Sequence, residues 1–166
     1  MRADKIYLVG FMAAGKTTLA RELGRRLDWR VEDVDDRIEA RERLPVASIF
    51  AAHGEAHFRA VERAIVQELL APRHVVVATG GGTFVDPDSR ALIKADGAVF
   101  WIDVPMAQLV ARLPQDGSRP LATNRPQFEQ LYLARRLAYA QAHVRLDGAR
   151  APVGELADQV VDWLGA

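Results

Sequence analysis

Gly10-Phe11-Met12-Ala13-Ala14-Gly15-Lys16-Thr17 fits the pattern G-x-x-x-x-G-K-[ST]. In that pattern backbone amides and a helix N-terminus cradle phosphates. Lys16 would bridge the β- and γ-phosphates of a nucleotide, and the Thr17 hydroxyl would reach Mg²⁺. The bland alternative is a glycine-rich helix start with a surface lysine. Context argues against it, because the loop follows an apolar run, Ile6 to Val9, and opens a helical pattern. Only three of the 22 basic residues are lysines, and one of the three is Lys16.

A phosphate loop alone does not separate a GTPase, a motor and a small-molecule kinase. Asp33-Val34-Asp35 closes a second apolar run, and on a strand two residues two apart share a face. Two carboxylates there could orient Mg²⁺ and accept a proton from an attacking hydroxyl. Asp35 or Asp36 could instead cap the following helix. Val75-Val76-Val77-Ala78-Thr79 runs into Gly80-Gly81-Gly82. Those glycines either make a turn needing positive φ or admit something closer than a Cβ allows. Arg59 and Arg135 read equally well as surface charges, Arg59 with Glu55 or Glu62 at helical spacing. Pro114 to Pro126, with three prolines and Arg119, fits a lid that closes over phosphates and excludes water, or an ordinary surface loop.

The elements that would carry these residues alternate. Strands are predicted at Ile6–Val9, Trp29–Val34, His74–Thr79, Ala98–Val104 and Val144–Asp147. Helices are predicted at Thr17–Leu27, Asp36–Arg43, Glu55–Leu70, Pro87–Ala95, Met106–Leu113, Phe128–Ala142 and Val153–Leu164, with Pro45 ending the second. Such alternation means a parallel sheet covered on both faces, with ligands at the carboxyl ends of the strands. Periodicity leaves the strand order open.

The chain has 166 residues, 49% of them hydrophobic, the size and composition of one folded domain. Lys+Arg and Asp+Glu both total 22, which argues against non-specific binding to nucleic acid or membrane. There is no cysteine, so disulfides, thiolate catalysis and Cys-based zinc sites are excluded. The N-terminal apolar run is too short for a signal peptide, and no run approaches a membrane span. Cytoplasm is the expected location. His53 and His57 do not match a metalloprotease helix, because Gly54 stands where that pattern needs Glu.

Together these residues resemble the shikimate kinase family of small P-loop kinases. The resemblance runs in order through Gly10 to Thr18, Asp33-Val34-Asp35, Ile49-Phe50, Gly54-Glu55, Phe58-Arg59 with Glu62, and Ala78-Thr79-Gly80-Gly81-Gly82. It continues with Arg119-Pro120-Leu121 and with Arg135 four residues before Tyr139. It implies a three-layer α/β/α fold with a five-stranded parallel sheet of order 2-3-1-4-5, like that of nucleoside-monophosphate kinases. It implies transfer of the ATP γ-phosphate to the 3-hydroxyl of shikimate, on the route to chorismate and the aromatic amino acids, by a Mg²⁺-dependent monomer.

Carried over residue by residue, the resemblance makes Met12, Ala13, Ala14, Gly15, Lys16, Thr17, Thr18, Arg112 and Arg119 the ATP-binding set. Asp35, Arg59, Gly80, Gly81, Gly82 and Arg135 would bind shikimate. Lys16, Asp35 and Arg119 would be catalytic, and Thr17 and Asp33 would serve the metal, Asp33 through water. Residues 33–62 would form the substrate-binding segment and 114–126 the lid of a single domain spanning 1–166. Two departures stand out. Ala13 occupies a position where the family usually has Gly, and Arg135-Arg136-Leu137-Ala138-Tyr139 lacks the usual Pro before Leu-Tyr. The second leaves Arg136 as a rival carboxylate clamp, though spacing to Tyr139 favours Arg135. A kinase for a related hydroxy acid such as gluconate, a nucleotide kinase, and a non-catalytic nucleotide-binding homologue are the alternatives.

Overall fold

The computed structural model describes residues 1–113 and 124–166. Its centre is β1 (Lys5–Val9), every residue of which is buried. Around it lie α1 (Lys16–Leu27), β2 (Arg30–Asp33), α2 (Val34–Glu42), α3 (Val46–Leu69) and β3 (Val75–Ala78). The chain continues with α4 (Pro87–Asp96), β4 (Ala98–Asp103), α5 (Met106–Arg112), α6 (Arg125–Tyr139), β5 (Val144–Asp147) and α7 (Val153–Leu164). All pairings are parallel and the order is β2-β3-β1-β4-β5. That is the order the resemblance implied, and β1, β3 and β4 are buried along their length, apolar but for Lys5 and Asp103, because both faces of the sheet are covered.

The connections explain where a ligand can sit. After β1 the chain crosses β3 to reach β2, and after β3 it crosses β1 to reach β4. Right-handed crossovers then put α1 on one face and the helices of the forward crossovers on the other. In agreement, α1 packs against α7, and α3 against α2 and α4. The loops leaving β1 and β3 part in opposite directions, which opens a crevice at their carboxyl ends.

Several boundaries differ from expectation. β1 begins at Lys5, not Ile6. The Lys5 side chain is fully buried, and its ammonium donates to Leu69 O (2.6 Å), Leu70 O (2.9 Å) and Asp96 Oδ2 (2.6 Å). It thus satisfies carbonyls at the end of α3, where a cation is favoured. Burial lowers the Lys5 pKa while Asp96 opposes the shift. A helical turn set, Val46 to His53, precedes Gly54 and was not anticipated. Gly54, at φ 81° and ψ 173°, kinks this segment against the predicted Glu55–Leu70 helix. The expected lid, 114–126, lies outside the described residues except for its end, where Asn124 caps α6 by accepting from the Gln127 amide. Arg119 is outside the described residues. No helix among the described residues is long and apolar enough to cross a membrane.

Candidate active site

The phosphate loop is built as its pattern requires. Gly10 lies so close to β4 that a Cβ would come within 2.9 Å of Ile102 O. Ala13 has φ 64° and Gly15 φ 99°, so two left-handed residues turn the loop into α1. Lys16 is the first residue of α1 and arches back, donating to Gly10 O (2.7 Å) and Phe11 O (2.8 Å). Arg112, from the end of α5, donates to Ala13 O at 3.2 Å and so reaches the same loop. Met12 and Ala13 are half-buried, Ala14 is buried, and Thr18 is exposed on α1.

The two aspartates are not on one strand. β2 ends at Asp33, which is the N-cap of α2 and accepts from the Asp36 amide through Oδ1 (3.1 Å). Its Oδ2 accepts from Thr17 Oγ1 at 2.9 Å. Asp35 therefore sits in the first turn of α2, and the shared-face argument fails because Val34 already has helical geometry. The cap that the sequence offered as the alternative role of Asp35 or Asp36 belongs to Asp33. Asp35 is left half-buried and turned toward β3, where a Cβ on Gly80 would lie 2.7 Å from its Oδ1.

The triple glycine is explained by approach. None of Gly80, Gly81 or Gly82 has positive φ. Instead each faces a different charged side chain. A Cβ on Gly81 would stand 2.8 Å from Arg135 Nη1, and one on Gly82 would stand 2.6 Å from both terminal nitrogens of Arg59. So α2, α3 and α6 deliver Asp35, Arg59 and Arg135 to three consecutive bare backbone positions. Met12 N, from the phosphate loop, is 3.8 Å from the Gly81 Cβ position. Phosphate loop and glycine turn thus share one crevice.

The guanidiniums have different support. Glu62, 2% exposed, accepts from Arg59 Nη1 (2.8 Å) and from Thr83 Oγ1 (2.9 Å). Phe58 adds a ring under Arg59. Glu55, the rival partner, is 3.7 Å away and largely exposed. No carboxylate among the described residues lies at ion-pair distance from Arg135, which packs over the Phe11 ring. Burial holds Arg135 below the ordinary guanidinium value; Arg59 adds to that shift, while Tyr139 and Glu62 oppose it. A desolvated guanidinium held in this way could receive an incoming anion, and its planar fork suits a carboxylate. Arg136 points elsewhere, to Asp103 (2.5 Å) and over Trp101. The rival clamp is therefore occupied away from the crevice. Thr83 is a support that sequence reasoning did not single out. Glu62 was legible as a candidate partner of Arg59 and as part of the family pattern, but its burial could not be read.

Thr17 and Asp33 place a hydroxyl and a carboxylate oxygen side by side at the mouth of the loop, hard oxygen donors of the kind Mg²⁺ takes. These residues fit that ion. No cluster of three or more acidic or histidine ligands exists among the described residues, so the rest of its shell would come from phosphates and water.

Fold and phosphate loop define the P-loop kinase class. Comparison narrows this. The family model described as shikimate kinase matches residues 12–165, and the chain belongs to the shikimate kinase family, ATP-dependent kinases that phosphorylate an alcohol group. It is 37% identical to the shikimate kinase of Persephonella marina over 142 residues, covering 85% of this chain and 87% of that protein. It is 40% identical to that of Aromatoleum aromaticum over 159 residues, 93% of this chain and 91% of that one. The Acinetobacter baumannii shikimate kinase in complex with shikimate superposes with a TM-score of 0.91 at 30% identity, covering 97% and 92%. The Aquifex aeolicus enzyme gives 0.86 at 31%, covering 98% and 99%.

Proposed function

We propose that the protein transfers the γ-phosphoryl group of ATP to the 3-hydroxyl of shikimate, giving shikimate 3-phosphate and ADP. The observation that carries this is the glycine turn: an acid and two guanidiniums meet three bare residues beside a phosphate loop. Arg59 and Arg135 bind the shikimate carboxylate. Asp35 holds the ring hydroxyls and accepts the 3-hydroxyl proton as the oxygen attacks the γ-phosphorus. The bond to the bridging oxygen breaks, and ADP leaves. Gly80, Gly81 and Gly82 lie along the acceptor, their backbone close enough to donate. Met12 to Thr18 bind the phosphates, with Lys16 and Arg119 offsetting charge on the transferring group. Arg112 lies near the adenine. Thr17 would hold Mg²⁺, with Asp33 acting on it through water. When bound, that ion neutralises phosphate charge and orients the nucleotide.

In this reading residues 1–166 act as one domain, 33–62 form the acceptor-binding segment, and 114–126 form the lid. The protein works as a cytoplasmic monomer. The test is ADP release from ATP and Mg²⁺ with and without shikimate. A large shikimate-dependent rate is expected, and Asp35→Asn is expected to lower it by at least about a hundredfold, the scale of a lost general base. No dependence on shikimate would defeat the assignment.

A further inference from the structure

Three successive glycines are the most permissive backbone in the chain, yet an acceptor site needs its donors set before the substrate arrives. What holds this turn still is visible in its carbonyls. Gly80 O accepts from the Thr83 amide (3.3 Å) and Gly82 O from the Val85 amide (3.1 Å), both local bonds. Gly81 O is different, since it accepts from the Tyr139 hydroxyl, on α6, at 2.5 Å. Tyr139 is 1% exposed, and its ring lies 6.2 Å from that of Trp101. Burial pushes its phenol upward, so it remains a protonated donor at any working pH. Arg135 stands one turn earlier on the same helix, beside the Tyr139 hydroxyl and against Gly81.

The peptide joining Gly81 to Gly82 is planar and trans, with its C=O and N–H pointing in opposite directions. Fixing Gly81 O on α6 therefore fixes the Gly82 N–H away from α6. Among the described residues, no acceptor takes the Gly81 or Gly82 amide hydrogen. We propose that Tyr139 is a positioning residue, whose hydroxyl locks the Gly81–Gly82 peptide so that the Gly82 amide and Arg135 meet the acceptor as one preset unit. The inference rests on the functional reading above and adds a residue that touches no substrate. Without the hydroxyl the peptide can rotate at little steric penalty, because neither flanking residue has a Cβ.

The experiment is steady-state kinetics of Tyr139→Phe, which keeps the buried ring and removes only the hydroxyl. The KM for shikimate is expected to rise about tenfold, with the KM for ATP within about twofold of wild type. A residue that merely supports the fold would move both constants together or lower the melting temperature without this split, and either result overturns the proposal. So does an unchanged KM for shikimate. The wild-type control separates the two readings: no turnover of shikimate by wild type defeats the functional assignment itself, and this inference with it. Should Tyr139→Phe not fold, the wild-type protein carries the test by NMR. Shikimate, but not ATP alone, is expected to shift the Gly82 amide proton and slow its exchange. An unperturbed Gly82 amide overturns the proposal.

Discussion

Ala13 has φ 64°, a left-handed value that a residue with a Cβ adopts at a cost of about 1–2 kcal/mol. The loop accepts it because neighbouring Gly15 and the Ala14 amide bond to Phe11 O complete the turn. Ala13→Gly removes that cost but loosens the unfolded chain, which offsets part of the gain. The expected result is a net gain of roughly 0.5–1 kcal/mol, read by calorimetry as a melting temperature about 2 °C higher. Gly81 is the opposite case. Its new Cβ would meet the far end of Arg135, a flexible side chain, and the phosphate-loop amide only at ordinary contact distance. Gly81→Ala should therefore displace Arg135 and leave the fold intact. Calorimetry is expected to show shikimate binding weakened about tenfold or more and ATP binding little changed. Equal loss of both would mean that the turn, rather than the acceptor side, needs the glycine.

At the level of elements, β5 shows how a strand end is finished by a side chain. The β4–β5 register begins at Phe100 and Val144, so the Val99 amide lies just beyond the ladder. His143 Nδ1 accepts from it at 3.0 Å, which requires the ring to be neutral with its proton on Nε2. Partial desolvation, assisted by the Lys94 charge, lowers the His143 pKa below the ordinary 6.5. The folded state then refuses a proton that the unfolded chain accepts. The stabilisation is fully present above 6.5 and is lost as pH falls through the lowered folded value. Urea unfolding at pH 7.5 and 5 should show a small loss, because the ring is exposed and solvent screens its charge. His143→Phe should flatten that part of the pH dependence. The same scale explains the misplaced Asp35. Val31 and Val34 read as one apolar run, but Asp33 caps a helix there, so the strand stops and Asp35 turns toward Gly80. Alternation cannot reveal which of three clustered aspartates will cap.

For the whole molecule, the formal charge of zero conceals a crevice where charges are sorted by depth. Glu62 is sunk beneath Arg59, Asp35 faces Gly80, and among the described residues no carboxylate lies at ion-pair distance from Arg135. The sequence by itself determined the alternating α/β plan, the phosphate loop and, through ordered motifs, the family. These are local patterns, written in residues close together in the chain. Only the tertiary structure decided that Arg135 rather than Arg136 faces the glycine turn, that Glu62 is buried, and that Tyr139 reaches Gly81. Those facts depend on how α3 and α6 are rotated against the sheet. That rotation is set by packing summed over many distant contacts, and no short stretch of sequence contains it.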